Sequence, residues 1–202
     1  MSALSFRLLG ASGSGLIALV MSYASTVNSL FSFRMSELVV RYGGEFLEKG
    51  EKEKASALIK SAALAEAVVS VLAFLVVLIS SMWASQTFTK SPDSKLMFIV
   101  FALGLLANFN TETSTGILQV TGKIRHQGTI NLIQSIISLG IVITAFFLPN
   151  PLWIVLLAYL ASKVIPGLGL YFMGRRQLQN ELGVQWQNAP MMNIAESRSL
   201  IR

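Results

Sequence analysis

The sequence predicts an all-α fold, a polytopic transmembrane bundle of about five helices. Three observations carry that prediction. The 202 residues are 53% hydrophobic and only 13% charged, whereas a soluble domain is nearer one-quarter charged. The apolar residues gather into long blocks, which a soluble helical core does not need. The basic residues, within a net charge of +6, sit at block ends, the pattern that orients membrane helices.

Some chemistry is excluded at once. The chain has no cysteine and a single histidine, His126, so disulfides and Cys or His-rich metal sites are ruled out. No metal and no cofactor is expected. The charge distribution shows no nucleic-acid footprint. No cleavable signal peptide is evident, because the apolar run after Arg7 is too long and too polar in its second half.

The five spans are expected near residues 13–42, 61–89, 96–121, 129–148 and 152–173. The first opens on Gly10, Gly13 and Gly15 and carries Ser22, Ser25, Thr26 and Ser29 on one face. Small hydroxyl residues serve close helix packing or line a cavity. Helicity is expected to run on past Phe33 to Tyr42, with Gly43-Gly44 as the stop. On that continuation Arg34, Glu37 and Arg41 share a face, one carboxylate between two guanidiniums. They read either as a salt-bridged boundary or as an anion clamp for a phosphate.

Glu45 to Lys60 alternates in charge sign and reads as a solvated loop and helix start. Glu66 falls in the early turns of the second span, where a helix N-terminus favours negative charge, and is expected to be structural. Lys90-Ser91-Pro92-Asp93 is a turn.

The third span organises the chain. Residues 96–121 are long enough to cross a bilayer, yet Asn108, Glu112, Thr115 and Gln119 fall on one narrow helical face. Such a stripe must face other helices or a water-filled cavity. The fourth span carries Asn131, Gln134, Ser135 and Ser138 on one face. The fifth carries Lys163, about 15 Å from either membrane boundary, with Pro166 three residues on. A lysine at a helix centre costs about 2.5–3.5 kcal/mol on insertion scales, so a partner or a polar cavity must offset it. Pairing with Glu112 and contact with a substrate phosphate are the two readings. Residues 177–202 read as a polar loop or tail.

Orientation follows from the same residues. Residues 34–60, 122–128 and the tail from 174 hold six, two and four Lys/Arg, against Arg7, Lys90 and Lys95 on the other side. These gaps alternate correctly across every crossing, with the basic ones cytoplasmic.

Arg7-Leu8-Leu9-Gly10 through Gly15-Leu16, then Arg34 to Arg41-Tyr42-Gly43-Gly44-Glu45, resembles the second membrane helix of polysaccharide flippases. Gly116-Ile117-Leu118-Gln119-Val120 before a basic Lys123–His126 turn resembles the same proteins. These are the O-antigen (Wzx-type) transporters of the multidrug/oligosaccharidyl-lipid/polysaccharide exporter superfamily. The resemblance implies two pseudo-symmetric bundles and alternating access. It makes this chain part of the N-terminal bundle, with residues 1–176 as the helices and 177–202 leading toward a second bundle, as in a fragment.

The implied function is flipping of an undecaprenyl-pyrophosphate-linked oligosaccharide across the bacterial cytoplasmic membrane for surface polysaccharide, such as lipopolysaccharide. A sugar-phosphate headgroup cannot cross hydrocarbon without replacement for its hydration. Asn108, Glu112, Gln119, Asn131 and Gln134 would meet hydroxyls, and Arg34, Arg41 and Lys163 would neutralise phosphate. The partners expected are the lipid-linked oligosaccharide, membrane lipids and a coupling cation or proton. A cation-coupled multidrug exporter, with Glu112 as coupling carboxylate, is the nearest alternative. A non-transporting structural subunit or inactive fragment is another. An enzyme is disfavoured, because the outward loops are short and lack acidic or histidine clusters.

Overall fold

A computed structural model describes residues 2–32, 34–89, 94–183, 186, 190 and 191. The expected turn at residues 90–93 and the tail from 192 onward lie outside the described residues. Among those described there are helices and no strand. Five stretches are long and apolar enough to cross a membrane: 3–48, 52–89, 95–120, 125–144 and 151–182. The all-α bundle of five spans expected from the sequence is therefore observed, but two of its members are broken.

Helix α1 (Ser2–Phe31) is kinked at Gly10, where φ is 67° and ψ is −173°. It does not run on to Tyr42. Backbone at Arg34 (φ −42°, ψ 62°) is non-helical, and a short α2 (Met35–Leu38) restarts the chain. A wide π-turn, Val39–Gly43, leads into α3 (Gly44–Glu48). The expected stop at Gly43-Gly44 is thus corrected, since both glycines are helical. The real stop is Gly50, at φ 73°. There the N–H of Glu51 bonds the Phe46 carbonyl at 2.9 Å and that of Gly50 bonds Leu47 at 3.1 Å, the paired bonds of a Schellman ending. Lys49 donates to Glu45, which holds its ammonium above the usual range.

Helix α4 (Lys52–Ala84) is one uninterrupted rod followed by a wide turn, Ser85–Thr89. It starts well before residue 61, because Ala55, Leu58 and Ile59 bury an apolar face within the charged stretch. Its buried face is small or polar: Ala62, Glu66, Ser70, Ala73, Val77, Ser81 and Ala84 recur at helical spacing. Its exposed face carries Leu64, Val68, Leu72, Leu75, Ile79 and Trp83. Large side chains toward lipid and small ones between helices are the membrane arrangement. Ser56, Ser81 and Ser85 each donate to a carbonyl one turn back, at 2.8–2.9 Å, so they need no partner across the interface.

The third span is broken as well. Helix α5 (Lys95–Ala107) ends before Asn108, and α6 (Thr111–Val120) begins after Asn110. Helices α7 (Arg125–Thr144) and α8 (Pro151–Leu182) complete the bundle. Asn150, in left-handed conformation, turns the chain into Pro151 at the α8 N-terminus. Helix α8 continues through Pro166 and past Arg175-Arg176 to Leu182, further than the sequence suggests. Helix α8 touches α1, α5, α6 and α7 and is the hub of the bundle.

Glycines permit close crossings at two places that matter for the breaks. A Cβ on Gly167 would lie 2.2 Å from the Ala107 carbonyl oxygen, and one on Gly116 would lie 2.9 Å from Val39 Cβ. The first crossing presses α8 onto the end of α5, and the second seats α6 against α2 and its π-turn. An outer core of Ile17, Val20, Phe98, Phe101, Val155 and Leu156 joins α1, α5 and α8. An inner core of Val39, Ile59, Ile117 and Leu178 joins the π-turn to α4, α6 and α8. Between these cores lie the two helix breaks.

Candidate functional site

The break in the third span leaves the first amides of α6 without carbonyl partners inside their helix. Asn110, at the cap position, offers those amides no side-chain bond; its Oδ1 accepts the Ser114 hydroxyl at 3.4 Å. The acceptor comes from α4 instead. Glu66 is 8% exposed. Its Oε1 accepts the Glu112 N–H at 2.7 Å. Its Oε2 accepts the Thr113 N–H at 2.9 Å and the Thr113 hydroxyl at 2.8 Å. The carboxylate also meets the positive end of the α6 dipole. The expectation that Glu66 serves its own helix N-terminus is corrected: α4 begins at Lys52, which puts Glu66 about 20 Å along it, and the N-terminus it serves is that of α6.

The second break is closed the same way. Glu112, in the first turn of α6, accepts the Ser36 hydroxyl at 2.7 Å and the Ser36 N–H at 3.4 Å on Oε2. Ser36 lies in the first turn of α2. A carboxylate on α4 therefore holds α6, and a carboxylate on α6 holds α2.

These links frame a polar cavity of about 290 Å³ between α1, α4, α6 and α8. Asn28 enters from α1 and Ser32 from the break after it, Glu66 and Ser70 from α4, Asn108 and Glu112 from the third span, and Ser162, Lys163 and Pro166 from α8. A second cavity of about 250 Å³ shares Asn28, Asn108 and Lys163 with the first and adds Ser22 and Ser25. Of the four α1 hydroxyl residues, Ser22 and Ser25 line a cavity, and Thr26 and Ser29 line neither.

Lys163 stands between the two cavities and is exposed. Among the described residues it forms no ion pair within 4.0 Å. The Lys163–Glu112 pair, one of the two readings, is not formed; Glu112 instead bonds Ser36 through Oε2. Pro166 has no N–H to give the Ser162 carbonyl, so backbone next to Lys163 also lacks one helical bond.

Other expected site residues lie elsewhere. Arg34 pairs with Glu37 at 2.9 Å, and both are exposed. Arg41 stacks over the Tyr42 ring at 5.1 Å rather than flanking Glu37. None of the three lines either cavity. Gln119 is exposed, seven residues and about 10 Å along α6 from Glu112. Asn131 is exposed, and Gln134 donates to Ser138 Oγ at 3.2 Å within α7. The structure brings together Asn108, Glu112 and Lys163. Sequence reasoning did not name Asn28 or Ser162 as site residues, and it read Glu66 as structural without linking it to the third span. The signal for Glu66 was present: a carboxylate in register with the Ala and Ser positions of α4.

Five spans, two of them broken around a polar cavity at mid-depth, define a polytopic α-helical membrane protein whose interior is built to hold polar groups. A model of the polysaccharide biosynthesis protein family matches residues 2–200. The chain belongs to that family, which is the family of the Wzx-type polysaccharide flippases. No curated protein and no solved structure matches the chain.

Proposed function

We propose that the chain acts in a transporter that flips a lipid-linked oligosaccharide, of the undecaprenyl-pyrophosphate type, across the bacterial cytoplasmic membrane. One observation carries this reading. Lys163, between the two cavities, forms no ion pair within 4.0 Å among the described residues, while Glu66 has both oxygens and Glu112 one oxygen engaged at helix starts. An unpaired cation beside amides and hydroxyls supports a phosphate bearing sugars as the substrate. Family membership supports a role in polysaccharide synthesis. Asn28, Asn108, Ser32 and Ser162 would replace water around sugar hydroxyls, and Lys163 would meet the pyrophosphate.

Proteoliposomes containing the chain and a fluorescent polyprenyl-pyrophosphate oligosaccharide test the reading. The parental protein should move the lipid to the leaflet where an added reductant bleaches it, and Lys163→Gln should slow that movement at least tenfold. Equal rates in the two proteins would reject it.

A further inference from the structure

A groove of about 440 Å³ lies on the other face of the α6 N-terminus, away from both cavities. Helix α6 forms its floor, and α4 and α8 form its walls. The volume falls within the range of about 300–1,000 Å³ of small-molecule sites. The two wall helices run antiparallel, so Lys60 on α4 lies at the same end as Arg175 on α8. The other end is apolar and aromatic, with Ala67 facing Tyr171 and Phe109, whose rings lie 4.9 Å apart. From Lys60 to Ala67 the trough is about 10 Å long. Leu64, on its wall, is 49% exposed, so the groove opens sideways where a membrane helix meets hydrocarbon.

The charge in this groove has one sign. Among the described residues no carboxylate lines it. Arg175 donates through Nη1 to the Tyr171 hydroxyl at 3.4 Å, which uses one of the five N–H groups of its guanidinium. By the distribution of basic residues this mouth faces the cytoplasmic boundary. A soluble anion has no use for the apolar trough, and an uncharged lipid has no use for the cations. The geometry points to a binding site for an anionic glycerophospholipid of the cytoplasmic leaflet, its phosphate on Arg175 at the basic end and an acyl chain along Leu64 and Ala67.

This site is independent of the transport reading, because no residue of the two cavities contributes to it. Its occupant bears on the same element from behind: Thr113, which lines the groove, donates to Glu66.

Trp186 lines the groove and supplies the reporter. The other two tryptophans, Trp83 and Trp153, lie outside it and are replaced by Phe. The full chain is placed in phosphatidylcholine vesicles, and acyl-brominated phosphatidylglycerol or acyl-brominated phosphatidylcholine is titrated in while Trp186 fluorescence is read. The brominated anionic lipid should quench at about fivefold lower mole fraction than the zwitterionic one. Arg175→Gln should remove that preference, whereas Arg176→Gln, whose side chain does not line the groove, should keep it. Equal quenching by the two lipids in the parental protein would overturn the site. So would equal loss in both arginine variants, which would mean net charge alone. Displacement of the brominated phosphatidylglycerol by stoichiometric polyprenyl phosphate would hand the groove to a transported lipid and also overturn the assignment. Retention of one phosphatidylglycerol by the delipidated protein in native mass spectrometry, absent in Arg175→Gln, provides a second readout that does not depend on the tryptophan variants.

Discussion

Glu66 and Thr113 share two hydrogen bonds on a single carboxylate oxygen, the Thr113 N–H at 2.9 Å and its hydroxyl at 2.8 Å. The two residues lie on different membrane helices, so this contact substitutes an interhelical cap for the missing first turn of a broken one. It makes the break at Asn108–Asn110 a built feature, because amides unpaired at that depth cost several kcal/mol each.

Removing Glu66 should therefore loosen α6 locally. Glu66→Ala leaves two buried N–H donors without acceptors and should destabilise the bundle by about 1–3 kcal/mol per orphaned group. Glu66→Gln keeps one carbonyl acceptor and should cost less. Hydrogen exchange in detergent should show the Glu112 and Thr113 amides exchanging faster in both variants, more so in Ala, with little change in α7. Unchanged exchange at these two amides would contradict the cap.

The link from α6 to α2 can be measured as a coupling energy. Ser36→Ala and Glu112→Ala each break the 2.7 Å bond, and the double variant should cost less than the sum by about 0.5–3 kcal/mol. Thermal unfolding of the four proteins in one detergent supplies the cycle. Strict additivity would mean that the two residues do not interact.

Close helix crossing makes a glycine contrast. A methyl on Gly167 would collide with the Ala107 carbonyl, whereas one on Gly140 meets nothing within 4 Å. Gly167→Ala should lower stability by about 1–3 kcal/mol, the usual cost of overpacking. Gly140→Ala should leave the unfolding temperature unchanged or raise it.

The absence of native cysteine allows a clean test of orientation. Single cysteines at Lys52 and Arg176 should be shielded from a membrane-impermeant thiol reagent in intact cells, and one at Asn150 should react. Labelling at position 52 would reverse the orientation derived from the basic residues.

The five crossings were legible because apolar blocks of that length have few other uses. The breaks were not. Asn108-Phe109-Asn110 has neither Gly nor Pro, and nothing local marks it as an interruption. It is set by Gly167 pressing on Ala107 and by Glu66 reaching α6, both distant in sequence. Gly43-Gly44 looked like a stop and is helical, with φ of −65° and −61°. Glycine reads alike from sequence whether it turns a chain, as Gly50 does, or stays within a helix. Lys163 was singled out as a cation needing a partner or a polar cavity; it lines two cavities, and the pair with Glu112, one of its two readings, is not formed. Arg34, Glu37 and Arg41 shared a face on a continuous helix that the chain does not form; the Arg34–Glu37 pair remains and Arg41 turns to Tyr42.

Direct binding at Lys163 bears most closely on the account. The purified chain should be titrated with a polyprenyl-pyrophosphate oligosaccharide and, separately, with the same oligosaccharide on an uncharged polyprenyl ether. The parental protein and Lys163→Arg should prefer the pyrophosphate lipid, and Lys163→Gln should lose about tenfold or more in affinity for it, the loss expected of a charge-assisted bond. Affinity for the uncharged lipid should be the same in all three. An undiminished pyrophosphate preference in Lys163→Gln would contradict the assignment of this lysine as the cation that meets the lipid phosphate.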